Sequence, residues 1–141
     1  MAGPLHWARP MTDDDLLQRS RAFALEVIRF CLRLDLDALG RVAQPALLRA
    51  GTGIATHYRA ARRARTPEQS AARLAKVITD LDDVEFWLEA LLRMKYGPGT
   101  IAHQLQIEAL ELRALVSHGP PASHPPATRL NTDARHPALA P

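Results

Sequence analysis

The sequence contains few of the features that define a function on their own. Its only cysteine, Cys31, excludes an internal disulfide and a multi-cysteine zinc site, and we interpret it as a small buried hydrophobic residue. No apolar run approaches the roughly 18 residues that a membrane-spanning helix requires. Residues 1–15 include no hydrophobic signal region. We therefore expect a cytoplasmic protein that makes no membrane contact.

Motifs for catalysis and for metal binding are also missing. There is no Gly-x-Ser-x-Gly nucleophile motif, and the segment 51–53, Gly-Thr-Gly, lacks the third glycine of a phosphate-binding loop. The Glu-x-x-His pairs of a di-metal bundle do not occur within the predicted helices, and the similar spacing of Asp133 and His136 falls in a proline-rich segment. His57 has no partner at metal-ligand spacing. We predict a protein that is not an enzyme and that holds no cofactor.

The residues that are present favour helices. Hydrophobic residues make up 47% of the chain and aromatic residues only 5%, while Ala and Leu, which lose little side-chain freedom in a helix, dominate. Thr12 followed by three aspartates predicts the capped start of a first helix that runs to Leu34. Pro45 is placed in the first turn of a second helix, which extends to Arg65.

The segment 66–69, Thr-Pro-Glu-Gln, is the clearest local signal. Thr caps a third helix, Pro takes its first position, and Gln69 reaches back to complete a capping box. This helix runs to Tyr96, and Gly-Pro-Gly at 97–99 separates it from a fourth helix over 101–117. Apolar residues recur at threes and fours in each helix and define the predicted core: Leu16, Phe23, Val27, Phe30, Leu34, Leu47, Gly51, Ile54, Tyr58, Ala61, Leu74, Val77, Leu81, Val84, Leu88, Leu91, Leu105, Leu112 and Leu115.

Four amphipathic helices with mostly short connections predict an all-α fold, an antiparallel up-down four-helix bundle. The bundle is expected to occupy residues 12–117, after a flexible arm at 1–11 and before a disordered tail at 118–141. The tail assignment rests on the last 22 residues, which hold six of the eleven prolines. Gly51 and Gly53 lie inside the second helix, so we expect a close neighbour or a bend there.

Charge is distributed unevenly along the chain. From Arg41 to Lys76 there are eight basic residues and one acidic residue, whereas from Asp80 to Glu89 there are five acidic residues and no basic ones. On the second helix, one side carries basic side chains over about 21 Å, enough to follow several phosphates. The candidate nucleic-acid-binding residues are Arg49, Arg59, Arg62, Arg63 and Arg65. The alternative is that these arginines pair with the acidic half of the third helix, in the same chain or in another copy.

Three segments resemble the bacterial four helix bundle protein family, which includes proteins encoded in intervening sequences of large-subunit ribosomal RNA genes. They are QPALLRAGTGIATHYRAARRART (44–66), ARLAKV (72–77) and DLDDVEFWLEALL (80–92). The resemblance covers roughly residues 13–117 and implies a four-helix bundle assembled as a homopentamer, without established activity. A more distant group accompanies reverse transcriptases in diversity-generating retroelements and binds nucleic acid and the polymerase. RNA, DNA and a reverse transcriptase are therefore the implied partners.

The chain also departs from the family pattern. Ala50 and Gly53 stand where the pattern has serines, Ala60 stands where it has an acidic residue, and Ser70 stands where it has an aromatic residue. From residues and resemblance together, we predict a non-enzymatic oligomeric bundle that binds nucleic acid through its phosphates, or that acts as a reverse-transcriptase accessory protein. The alternative is a scaffold whose arginines mediate self-assembly and bind no nucleic acid.

Overall fold

The computed structural model describes residues 11–118 and contains four α-helices in that range. Each helix packs against the next along the chain, and the fourth closes the arrangement against the first. The architecture is the predicted all-α, antiparallel four-helix bundle. The arm predicted at 1–11 and the tail predicted at 118–141 lie almost wholly outside the described residues. The helices are α1 (Asp13–Cys31), α2 (Gly40–Arg62), α3 (Pro67–Arg93) and α4 (Gly99–His118).

The predicted starts of α1 and α3 are confirmed. The Thr12 hydroxyl accepts a hydrogen bond from the Asp15 backbone N–H at 3.1 Å, and the Asp15 carboxylate accepts one from the Thr12 N–H at 3.0 Å. Together these bonds form a capping box. At α3, Thr66 caps the N–H of Gln69 at 3.1 Å. The Gln69 side chain, however, accepts from the N–H of Arg65 at 3.2 Å, so the predicted reciprocal bond to Thr66 is wrong.

The predicted start of α2 is also wrong. The helix begins at Gly40, five residues before Pro45, so the proline lies in its interior, where it removes one backbone hydrogen bond. The earlier start has a local cause, because the Asp37 carboxylate accepts from the N–H groups of Leu39 and Gly40, each at 3.1 Å. The Tyr96 hydroxyl donates to the Asp35 carbonyl at 2.6 Å and so fixes the same loop.

The core consists of the apolar faces of all four helices. Val27, Leu47, Leu81 and Leu88 are fully buried, and the less buried Trp87 packs against the same cluster. The close approach expected at Gly51 is confirmed, because a Cβ there would lie 2.6 Å from Cγ1 of Val27. Glycine therefore permits α2 to pack directly against α1.

Cys31 is buried, as predicted from its apolar surroundings. Burial raises the pKa of its thiol to about 11, because the thiolate would lose its hydration. Within the described range, the four helices include none with the length and apolar character needed to cross a bilayer.

Candidate nucleic-acid interface

The outer side of α2 carries a line of polar and basic side chains. Arg49, Thr56 and Arg63 are seven residues apart, so they lie on one line of the helix, and all three are exposed. The Thr56 hydroxyl donates to the carbonyl of Thr52 at 3.0 Å. The threonine is therefore committed to the helix backbone, and the arginines dominate the chemistry of this side.

A groove of about 540 Å³ lies where the last turns of α2 meet the first turns of α3. Arg59 and Arg63 reach it from α2, and Arg73 reaches it from α3. Gln69 and Thr56 complete its polar lining. We call this feature the arginine groove, and we call the groove together with Arg49 the arginine face.

The arginine face carries a net positive charge, which Asp80 offsets in part at Arg49. Among residues 11–118, the guanidinium groups of Arg49, Arg59, Arg63 and Arg73 form no ion pair or hydrogen bond with another side chain. The residues that line the groove include no carboxylate and no aromatic ring. Anions can therefore approach these arginines without displacing a partner from the described part of the chain.

Two of the predicted residues do not belong to this face. Arg62 points toward α1, where its Nη1 lies 2.6 Å from Oδ1 of Asp14. This hydrogen bond raises the pKa of the guanidinium and uses its charge within the bundle. Arg65 lines a different hollow, of about 530 Å³, at the end of the bundle. The predicted set of five is therefore divided between two surfaces, and only Arg49, Arg59 and Arg63 share one.

Asp80 is an acidic neighbour of the arginine face. Its carboxylate lies against α2 at Gly53, where any Cβ would overlap it, and its Oδ2 is 3.7 Å from Nε2 of His57. The close neighbour expected at Gly53 is thereby confirmed. Burial raises the pKa of Asp80, although His57 and Arg49 act in the opposite direction by favouring its charged form. His57 is half-buried between α2 and α3, and its buried Nδ1 has no hydrogen-bond partner among residues 11–118.

In the acidic half of α3, Asp82 and Glu85 face an arginine of α4. The Arg113 guanidinium forms an ion pair with Asp82 and lies 3.9 Å from Oε2 of Glu85. Further along α3, Glu89 pairs with Arg93 at 2.8 Å. Within one chain, no α2 arginine forms an ion pair with Asp82, Glu85 or Glu89, whereas Arg49 interacts electrostatically with Asp80, the first acid of this segment. Pairing of the α2 arginines with another copy of the chain stays a prediction.

Arg73 is a candidate site residue that the sequence reasoning missed. The signal was present, because α2 and α3 form a helical hairpin with a short connection. Residues equally distant from the connection face each other, and Arg59 and Arg73 are each seven positions from Thr66. The prediction considered only one helix face and so omitted the basic residue on the opposing helix.

Within residues 11–118, the His, Cys, Asp and Glu side chains form no group of three that could hold a metal ion. The three guanidinium groups of the arginine groove are hydrogen-bond donors only, and they suit an anion rather than a cation. The arrangement can bind a charged oxygen-rich ligand by hydrogen bonds and electrostatic attraction.

Fold and site together define a helical bundle with an open arginine face. Its fold is similar to that of a crystallised protein of unknown function from the S23 ribosomal protein family of Bacteroides thetaiotaomicron. The TM-score is 0.68 and the sequence identity 22%, over 73% of this chain and 95% of that one. At this identity the likeness is one of fold. No family model matches the chain, and no curated protein is similar to it.

Proposed function

We propose that this protein is a non-enzymatic helical bundle that binds nucleic acid by its phosphates through the arginine face. The observation that carries the proposal is the convergence of Arg59, Arg63 and Arg73 on one groove that has no carboxylate in its lining. An arginine presents a planar fork of donors that matches two phosphate oxygens, and it stays charged at any physiological pH.

The dimensions of the face fit a nucleic-acid backbone. Arg49 lies two heptads before Arg63 on the same line of α2, about 21 Å away along the axis. Phosphates recur along a strand at a few ångströms, so a strand on this face presents several of them to the arginines. Because no aromatic ring lines the groove, base stacking contributes little there. Binding is therefore directed to the backbone and independent of sequence.

The competing proposal is a scaffold in which the same arginines join copies of the chain or dock another protein. Two exposed apolar side chains favour it, because Phe86 and Met94 are 60% and 66% exposed and line one hollow on α3. Apolar side chains on a surface are suited to a protein interface. The resemblance to the four helix bundle family implies that the scaffold would be a homopentamer. It also implies that a nucleic-acid-binding bundle could have a reverse transcriptase as its partner.

The test is the binding of labelled single- and double-stranded RNA and DNA across a salt series. We expect the logarithm of the binding constant to fall linearly with the logarithm of the salt concentration, because phosphate binding releases counterions. The double variant Arg59→Glu/Arg63→Glu should lose binding and keep its helical circular dichroism spectrum.

The matched control is Arg21→Glu/Arg33→Glu, which makes the same charge change at two exposed arginines of the α1 region. If both double variants weaken binding equally, net charge rather than the arginine face is responsible. If no nucleic acid binds at low salt and Arg59→Glu/Arg63→Glu changes the mass measured by light scattering, the scaffold proposal replaces this one.

A further inference from the structure

The arginine groove differs from the rest of the arginine face in its shape. Outside the groove the face consists of Arg49 alone, but at the groove basic side chains converge from two helices on one hollow of about 540 Å³. This volume is in the range of sites for small molecules. A ligand in the groove would meet three guanidinium groups, whereas a ligand at Arg49 would meet one.

The donors of the groove exceed what an internal phosphate can use. A phosphodiester within a strand has one negative charge and two unesterified oxygens. A phosphate monoester has three such oxygens and a charge of about −1.5 to −2 at neutral pH. Three guanidinium forks match the three oxygens, and each hydrogen bond between two charged groups is stronger than one between neutral groups.

Gln69 adds donors at the same place. Its Oε1 accepts from the N–H of Arg65 at 3.2 Å. Its amide N–H groups have no hydrogen-bond partner among residues 11–118, and the side chain lines the groove. The groove therefore combines three cationic donors with a neutral one.

The position of the groove also favours the end of a strand. It lies beside the short α2–α3 connection, at one end of the arginine face, while Arg49 lies about 21 Å away toward the middle of the bundle. A strand whose terminal phosphate occupies the groove can extend along α2, with its internal phosphates near Arg49 and the exposed Lys76.

We infer that the arginine groove binds a terminal phosphate, a phosphomonoester at the end of a nucleic-acid strand. This inference rests on the proposed function and specifies its ligand. The arginines bind and orient the phosphate, and no bond is made or broken.

The experiment compares single strands of one sequence that carry a 5′-phosphate, a 3′-phosphate or hydroxyl groups at both ends. The fluorescent label is attached to an internal base so that both ends remain free. We expect at least one phosphorylated strand to bind about tenfold more tightly than the hydroxyl strand, because its charge-assisted hydrogen bonds are additional. The preference should decrease below about pH 6, as the monoester takes up a proton.

Arg73→Gln is the diagnostic variant, because it removes one guanidinium from the groove and leaves Arg49, Arg59 and Arg63 in place. We expect it to reduce the preference for phosphorylated ends by at least about fivefold, with a smaller effect on the hydroxyl strand. Arg21→Gln is the matched control and should keep the full preference. Inorganic phosphate at millimolar concentration should compete with the phosphorylated strand more effectively than with the hydroxyl strand.

The outcomes separate this inference from the proposed function. Equal affinity for all three strands, with binding still lost in Arg59→Glu/Arg63→Glu, overturns the terminal-phosphate site and leaves nucleic-acid binding intact. Binding of inorganic phosphate or a nucleoside monophosphate without binding of any strand overturns both in favour of a small phosphomonoester ligand. If no strand and no phosphate binds, both are wrong.

Discussion

The α4 seams and the arginine face use charged side chains in opposite ways. At the α1–α4 seam, Arg19 forms two hydrogen bonds with the Glu108 carboxylate, at 2.6 and 2.9 Å, and a further one with Glu111. At the α3–α4 seam, Arg113 pairs with Asp82. On the arginine face, by contrast, no guanidinium group forms an ion pair in the described part of the chain, although the charge of Arg49 acts on Asp80.

The difference indicates which charges the bundle needs for its own assembly. Ion pairs between helices help to fix which neighbours meet, and bidentate arginine–carboxylate pairs do so with defined geometry. Charges without such partners contribute little to folding and repel one another slightly. The arginines of the arginine groove therefore remain available for a ligand.

The largest effect on this comparison is expected when the α1–α4 seam is broken. Arg19→Glu removes the bidentate pair and places a third carboxylate beside Glu108 and Glu111. We expect the free energy of unfolding to fall by about 2 kcal/mol, because partly buried carboxylates lose charged hydrogen-bond donors. Urea denaturation followed by circular dichroism measures the loss. Arg21→Glu, on an exposed position of the same helix, should change stability by less than about 0.5 kcal/mol.

A second change converts the arginine face into a paired surface. Ala60 lines the groove between Arg59 and Arg63. Ala60→Glu places a carboxylate three residues before Arg63 on the helix and opposite Arg73. We expect nucleic-acid affinity to fall about tenfold, and stability to rise by up to about 0.5 kcal/mol, through the new pairs. Ala60→Gln has nearly the same shape without the charge, so an equal loss with Gln would indicate obstruction instead.

A third change concerns Asp80 of α3, which lies against α2 beside the arginine face. Burial raises its pKa, so the native protein holds the proton of this carboxyl more tightly than the unfolded chain does. The contribution of this carboxyl to stability is therefore greatest at low pH and is lost as pH rises through the native pKa. As pH rises through the native pKa, the free energy of unfolding of Asp80→Asn should increase relative to that of the wild type. The size of this increase should be smaller than the loss caused by Arg19→Glu. Unfolding measured at intervals between about pH 4 and pH 7 tests this; a difference that does not vary with pH would contradict it.

The smallest effect on stability is expected on the arginine face itself. Arg63→Ala should change the free energy of unfolding by less than about 0.5 kcal/mol, because the side chain is exposed and has no partner in residues 11–118. Its effect should instead appear in binding. The slope of the logarithm of the binding constant against the logarithm of the salt concentration should become shallower, by the amount that corresponds to about one phosphate contact. A large loss of stability would show that this arginine supports the fold and would remove the contrast with Arg19.

The sequence predicted the fold well because local and periodic signals agreed. The caps at Thr12 and Thr66 and the three-and-four spacing of apolar residues depend on neighbours along the chain, and such signals can be recognised without a structure. The start of α2 was missed because it depends on Asp37 and on Tyr96, which lies 59 residues later. A proline that usually marks the first turn was given more weight than a capping carboxylate.

The candidate site was predicted in part. Three of the five arginines, Arg49, Arg59 and Arg63, share a face, and this could be predicted because their spacings of ten and four residues on one helix are visible in the sequence. The roles of Arg62 and Arg73 depend on which helices become neighbours, since one pairs with α1 and the other joins the groove from α3. Which arginine pairs with which acid also depends on the neighbouring helices. Asp82 pairs with Arg113 because α4 packs against α3 on that side, and this cannot be read from one helix alone.

The short connection between α2 and α3 has a further consequence for how the arginine face forms. The whole face lies within residues 49–73, and its helices are joined by only a few residues, from Arg63 to Thr66. Contacts of such low sequence separation require little loop-closure entropy and form rapidly. The face is thus encoded by one continuous hairpin of the chain, which carries all three convergent guanidinium groups.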